Sequence, residues 1–471
     1  MPNFAMGGCR GVGEERGATC SAAMNIPRFA SLLLALSACA GAQVTALHSF
    51  DSTQIDSEPA CTLAEIEPGV FLGTTTGGSI FRVTSSGGFR NLASFNPDTL
   101  GFYTIGQLFP ASNGLFYGVN DSGEGGTFGS IFAASAVGQV SILKSDTLNA
   151  GPLVEASDGN LYGVVGDAKT GDYFIYRMTL SGAFTPIYDL GQNGQSVAPL
   201  FQATDGNLYG MTTGANGSQG ILFRMSLSGE FTTLYRFPAS EGANGGFMQA
   251  SNGLLYGVAA YDDVAPPCPG SGGFVFSLSL SGDLTKYQEF GGCYLPNASR
   301  TALIEASDGN LYGATPGGGI YSGGTTFEMA LDGSNFATLT TFESGFGESP
   351  GGVAGAGLQQ GSDGAFYSVA YSGGEYGGGI VFRADYILPP PLPTAGYARP
   401  SSAAPGTSVI INGQHLVGVT GVSFNGVAAT SITSRAPYFV IGVVPPGATS
   451  GPITITTPNG SVTSKFTFTV N

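Results

Sequence analysis

From Val44 to Tyr386 short apolar runs alternate with turn residues, and the same order of runs returns along the chain. Between Phe201 and Phe237 one run ends at Ala203 and is broken by Thr204-Asp205-Gly206-Asn207. Leu208-Tyr-Gly-Met211 follows, then Ile221-Leu-Phe-Arg-Met225, a Ser228-Gly229 break, and Phe231-Thr-Thr-Leu-Tyr-Arg-Phe237. Runs this short, bounded by Asp-Gly and Ser-Gly, predict antiparallel strands joined by tight turns, because Gly takes positive φ and Asp bonds its own backbone. The glycine of the first turn recurs as Gly69, Gly114, Gly159, Gly206, Gly253, Gly309 and Gly364, at spacings of 45, 45, 47, 47, 56 and 55 residues. Four short strands in a period of about 40 to 50 residues is the pattern of a propeller blade, which buries its two faces only against its neighbours.

The stretch Glu-Ala-Ser-Asp-Gly-Asn-Leu-Tyr-Gly stands unchanged at Glu155 to Gly163 and at Glu305 to Gly313. In a repeating scaffold this is a structural turn, so Asp158, Asp205, Asp308 and Asp363 are assigned to turns, with Asn113 and Asn252 replacing Asp in two units. The recurring aromatics Phe116, Tyr162, Tyr209, Tyr256, Tyr312 and Phe366 or Tyr367 are expected to pack between units. A calcium ring is disfavoured, since each turn offers one carboxylate and calcium takes about six to eight oxygens.

Units one to six each end in a fourth strand, whereas the seventh runs into Ile387-Leu-Pro-Pro-Pro-Leu-Pro393, where proline forbids a paired central strand. At the other end Ala46-Leu-His-Ser-Phe50 has the fourth-strand pattern and no unit of its own. The expected fold is therefore all-β: a seven-bladed β-propeller over 43–388, closed by its N-terminal strand, a Pro-rich linker over 389–393, and a second β domain over 394–471. His48 is then a strand residue. Beyond Thr394 apolar alternation between Gly and Pro turns predicts a β-sandwich.

Charge divides the chain at the same place. From Gln43 to Pro393 there are 30 acidic against 10 basic residues, while 394–471 has no acid and only Arg399, Arg435 and Lys465. The acidic part repels phosphate backbones, so nucleic acid is excluded as a partner. Near the N-terminus, Arg28 followed by Phe29-Ala-Ser-Leu-Leu-Leu-Ala-Leu36 is a positive region and a short apolar core, which predicts an export signal over 24–42. Residues 1–23 have no periodicity and are read as a start site assigned too early. Two processing readings stand: cleavage after Ala40-Gly41-Ala42, or a lipobox at Leu36-Ser37-Ala38-Cys39 with Cys39 acylated. No segment is apolar over enough length to be transmembrane.

Export favours oxidised cysteines. Cys268 and Cys293 fall in loops at one end of adjoining units and are the expected disulfide, leaving Cys61 free. With only two histidines, His48 and His415, and no Cys-x-x-Cys spacing, neither a metal nor a cofactor is expected.

The units, with their Ser-Asp-Gly-Asn-Leu-Tyr-Gly turn, Phe-Arg-Met strand and Thr-Leu-Tyr-Arg-Phe strand, resemble the bacterial GloVer tandem repeat of choice-of-anchor proteins over about Val44 to Tyr386. That resemblance implies an exported, propeller-like protein of no established activity, and it supplies no catalytic residues. Pro405-Gly406, Val409-Ile-Ile-Asn-Gly413, Val422-Ser-Phe-Asn-Gly426, Val443-Val-Pro445 and Phe466-Thr-Phe468 resemble an IPT/TIG immunoglobulin-like domain. It implies an extracellular spacer or interaction module, secreted or held at the cell surface. No sorting tail follows Val470, so an anchor would have to come from Cys39.

In a four-stranded blade the loops joining strands two and three, and those joining successive blades, lie at one end, with the tight turns at the other. The long segments fall at the loop end, and a rigid scaffold concentrates recognition in such loops. Tyr261, Asp262, Asp263, Tyr294, Tyr321, Tyr371 and Tyr376 are the candidate contact residues. The expected function is non-catalytic binding or adhesion by a monomer, with an extracellular polysaccharide or surface protein as partner. The alternative is a carbohydrate-active hydrolase or lyase using funnel carboxylates, for which Asp262 and Asp263 are the nearest candidates.

Overall fold

The computed structural model describes residues 43–471 apart from 55–56, 60, 96–102, 122–128, 149, 168–169, 192–198, 213–219, 239–240, 244, 262–271, 292–301, 318, 320–321, 344–346 and 351–355. Every regular element among the described residues is a β-strand. Phe201–Gln202, Leu208–Met211, Ile221–Met225 and Phe231–Arg236 form one antiparallel sheet in sequence order. The chain reverses at Gly206, whose φ of 81° suits glycine and strains any other residue. Asp205 accepts through Oδ1 from the Asn207 amide at 3.0 Å and through Oδ2 from the Tyr209 hydroxyl at 2.8 Å. Gly210 must stay bare because a β-carbon there would collide with the Phe223 ring and Leu200.

The same turn is built at Asp158 with Tyr162, Asp308 with Tyr312 and Asp363 with Tyr367, and with an amide in place of the carboxylate at Asn113 with Tyr117 and Asn252 with Tyr256. Phe116 and Phe366 are therefore not the counterparts of Tyr162. The bonded ring stands three residues after the turn glycine, at Tyr117 and Tyr367, because only that position returns a hydroxyl to the Asx side chain.

The same strand order begins at Ala64–Glu67, Tyr103–Pro110, Val154–Glu155 and Ile304–Glu305, the second and third of these being joined into one eight-stranded sheet by the pairing of Val140–Leu148 with Leu161–Asp167, and a fifth unit, beginning at Glu241–Ala243, also pairs Met248–Gln249 on the same inner strand. The last sheet is built on Gln359–Gln360, Phe366–Ala370 and Gly377–Asp385, with the short strands Gly373–Gly374 and Gly347–Pro350 at one side, and the orphan strand, Gln43–Asp51, pairs antiparallel with Gly377–Asp385, Gln43 opposite Asp385 and Asp51 opposite Gly377. His48 lies in that strand, stacked on Phe89 with ring centroids 3.6 Å apart.

Successive sheets bury apolar clusters between them. Tyr162, Ile175, Leu208 and Phe223 join the third and fourth units, and Phe71, Phe81, Tyr367 and Val381 join the first and the last. A polar link runs beside the apolar one at every seam except that between the first and second units. The Ser157 amide donates to Gln202 at 2.8 Å, Thr204 to Gln249 at 2.9 Å, Ser307 to Gln360 at 3.0 Å, Ser112 to Glu155 at 2.8 Å and Ser251 to Glu305 at 2.6 Å. Ser362 donates to Glu65 at 2.8 Å, tying the last sheet to the first across 297 residues. Between the first and second units Pro110 takes the Glu/Gln position and the link is not made.

The tail folds into two four-stranded antiparallel sheets and a short parallel pair, Ser402–Ala403 with Thr469–Val470. Tyr397–Arg399, Ser408–Asn412, Phe439–Val443 and Ile432–Arg435 form one; Val427–Ala428, Gly421–Phe424, Ile453–Thr457 and Gly460–Thr463 form the other. Val409, Ile411, Phe424, Val440, Ile455 and Phe468 are buried among them.

Candidate functional site

The tail is seated on the tight-turn end of the repeat units. Arg399 donates to Glu155 at 2.7 Å and to the Ser112 hydroxyl at 3.0 Å, with its guanidinium over Gly159. The Tyr438 ring stacks on Phe109 with centroids 5.8 Å apart, and Asn459 donates to the Ser362 carbonyl at 2.8 Å. The Glu155 side chain is fully buried there. Burial holds the phenol of Tyr438 above its ordinary value and pulls His415 down to about 4.

The opposite end is the loop end, and its described parts include the hairpin after Phe366–Ala370. Glycines at 373, 374, 377 and 379 all have positive φ, which lets a nine-residue stretch, Tyr371 to Gly379, fold tightly against the strand Gln43–Asp51. Tyr371 and Tyr376 are the large apolar side chains it leaves exposed, at 37 % and 54 %. The Tyr376 carbonyl accepts from the Ser52 amide at 3.2 Å, and the Ser49 hydroxyl accepts from the Glu375 amide at 3.4 Å, so the hairpin is fastened to 49–52.

Two carboxylates lie beside Tyr376. The Glu375 carboxylate next to it and, more weakly, the charge of Asp51 raise the pKa of the Tyr376 phenol above its ordinary value. Asp51 is fully exposed and held below the usual carboxylate range by the Thr53 amide and hydroxyl, at 2.9 and 2.7 Å. Exposed ring faces beside hydrogen-bond acceptors can stack on an apolar surface and take hydroxyl protons from the same ligand.

Of the sequence candidates the structure places Tyr371 and Tyr376 on one hairpin. Tyr261 ends the strand Leu255–Tyr261, while Asp262, Asp263, Tyr294 and Tyr321 lie outside the described residues, as do Cys39, Cys268 and Cys293. Cys61 is a free, buried thiol that accepts from the Thr74 amide at 2.8 Å, and burial raises its pKa. Among the described residues no three His, Cys, Asp or Glu side chains are grouped to hold a metal ion, and no helix is long and apolar enough to cross a membrane. Sequence reasoning passed over Asp51, Glu375 and Arg399. The first two were legible only as neighbours of Tyr376 once Gln43–Asp51 was paired with the last sheet, and the third carried no signal beyond being one of three tail cations.

A model of the Gloeobacter/Verrucomicrobia repeat matches residues 77–266, which supports the reading of this region as a tandem repeat. No curated protein matches the chain. Among solved structures, an oligogalacturonate lyase in complex with manganese is similar over 74 % of this chain and 94 % of its own, at 12 % identity and a TM-score of 0.50. An oligogalacturonate lyase from Vibrio parahaemolyticus covers 72 % and 93 %, at 10 % identity and a TM-score of 0.44. A protein from Lactobacillus plantarum covers 60 % and 84 %, at 16 % identity and a TM-score of 0.43. At these identities the first likeness establishes an all-β, propeller-like fold and nothing about activity.

Proposed function

We propose that this is an exported, non-catalytic binding protein: a seven-bladed propeller closed by Gln43–Asp51, with an immunoglobulin-like tail of the IPT/TIG kind, that recognises extracellular polysaccharide through its loop end. The Ser362–Glu65 link and the apolar cluster between last and first sheets support the closed ring. The observation that carries the functional reading is the division of the two ends. The tail covers tight turns through Arg399, and at the other end Tyr371 and Tyr376 stand exposed, with Glu375 and Asp51 beside Tyr376. Secretion or attachment at a bacterial surface, through Cys39 in the lipoprotein case, follows from the export signal and belongs to the same proposal.

The charge of the repeat region favours a neutral glycan over a polyuronate. With 30 acids against 10 bases from Gln43 to Pro393, a polyanion is repelled at long range. The runner-up is a carbohydrate-active hydrolase or lyase using Asp262 and Asp263, and the lyase neighbour gives a reason to assay for it. Purified protein is titrated with neutral and uronate-containing polysaccharides, with reducing ends and unsaturated products measured in the same wells. Binding to a neutral glycan without release, weakened about tenfold in Tyr376→Ala, is the expected result; release, or binding indifferent to Tyr371 and Tyr376, overturns it.

A further inference from the structure

The nonapeptide that stands twice in the sequence gives two identical turns in different surroundings. At Glu155 the carboxylate takes the Ser112 amide and hydroxyl at 2.8 and 2.7 Å and then a guanidinium, that of Arg399, at 2.7 Å. At Glu305 it takes the corresponding Ser251 amide and hydroxyl at 2.6 and 2.5 Å. Among the described residues no cation and no third donor follows. Glu65, the remaining glutamate of the series, has its third donor in the Gly69 amide at 2.7 Å. Glu305 is the one member whose remaining acceptor capacity is turned to open space.

That space is a cleft of about 680 Å³ between the turn of Glu305, the proline linker and the tail. Its walls include Pro390, Leu392, Pro458, Asn459 and His415. The linker is fixed in place: the Ser307 hydroxyl donates to the Pro389 carbonyl at 2.6 Å, and Asn459 donates to the Pro391 carbonyl at 3.3 Å. Burial holds His415 neutral at physiological pH, so it brings no competing positive charge. The cleft thus combines apolar walls with one carboxylate in its lining, which suits a cation on an alkyl stem.

We propose that the Glu305 cleft binds an alkylguanidinium, and that Arg399 on Glu155 shows within the same molecule how the cation is held. The source is a free small molecule or the arginine side chain of a peptide, which have this chemistry in common. This site lies at the turn end, so it stands or falls apart from the polysaccharide reading of the loop end.

The test titrates the full chain with butylguanidinium, with its neutral isostere butylurea, and with the amidated peptide Gly-Arg-Gly. Binding of butylguanidinium at least about tenfold tighter than butylurea is expected, and about a tenfold loss in Glu305→Gln, the scale of one charge-assisted bond. The variant folds, because Gln202, Gln249 and Gln360 hold the same inter-sheet link with a neutral amide. Glu230→Gln removes an exposed acid elsewhere and controls for general attraction to an acidic surface. Binding by the peptide alone supports the site with a peptide source; binding by both supports a free cation. Equal affinity in wild type and Glu305→Gln, equal losses in Glu305→Gln and Glu230→Gln, or no binding of either cation overturns the proposal.

Discussion

Arg399→Ala removes the cation from a carboxylate that is fully buried in the native protein. Arg399 donates to Glu155 at 2.7 Å and to the Ser112 hydroxyl at 3.0 Å, and the two side chains are 21 % and 0 % exposed. Stripping one partner from a fully buried ion pair costs about 3–5 kcal/mol. Here the Ser112 amide and hydroxyl stay bonded to Glu155, and the partly exposed arginine site admits water once vacated, so the expected cost is about 2–3 kcal/mol. Glu155→Gln supplies the complementary arm, since three other units use glutamine at this position. In that background Arg399→Ala should cost less than about 1 kcal/mol, because only neutral acceptors are lost. Urea unfolding followed by circular dichroism, run on wild type, both single variants and the double variant, gives the coupling as the difference. Equal costs of Arg399→Ala in both backgrounds would refute the view that this ion pair fastens the tail to the repeat units.

Asp205→Asn should be tolerated within about 0.5 kcal/mol, as Asn113 and Asn252 make the same turn, whereas Asp205→Ala loses the Asx bond and the Tyr209 hydroxyl and should cost about 1–2 kcal/mol in urea unfolding. Burial works against ionised Asp205, but bonds from Asn207 and Tyr209 outweigh it and hold its pKa below the ordinary value, so its contribution is present above the unfolded pKa near 3.8 and is lost as pH falls through the folded one. His48 and His415 are both pulled by burial from 6.5 to about 4; the unfolded chain therefore binds more protons in that window, and the melting temperature should fall as pH drops from 6.5 to 4. The paired variant His48→Phe with His415→Asn, the latter chosen because position 415 has a φ of 55°, should flatten that slope in calorimetric scans. Cys61 should resist alkylation in the native protein and react fully in urea, measured by mass spectrometry of its peptide; native labelling would contradict its burial.

Much of the repeat region was legible because its determinants are local. An Asx side chain reaches an amide two residues on and a hydroxyl four residues on, so Asp205 to Tyr209 carries its own turn in sequence, and periodicity then repeats it. The pairing of Gln43–Asp51 with Gly377–Asp385 was legible for a related reason: one unit lacked a strand and one strand lacked a unit. The one-residue slip from Tyr117 to Phe116 shows the limit, since both are aromatic and both buried, and only the hydroxyl bond to Asn113 separates them.

What sequence alone determined, then, was the strand order, the turns and the break into a tail without acids, all fixed by chemistry within a few residues or by recurrence. Tertiary structure decided which glutamate meets which neighbour. Glu155 and Glu305 sit in identical nonapeptides, yet one receives Arg399 from 244 residues away and the other borders a cleft. The physical reason is that a carboxylate's partners depend on what the fold carries within about 3 Å of it, and neither periodicity nor composition encodes that distance.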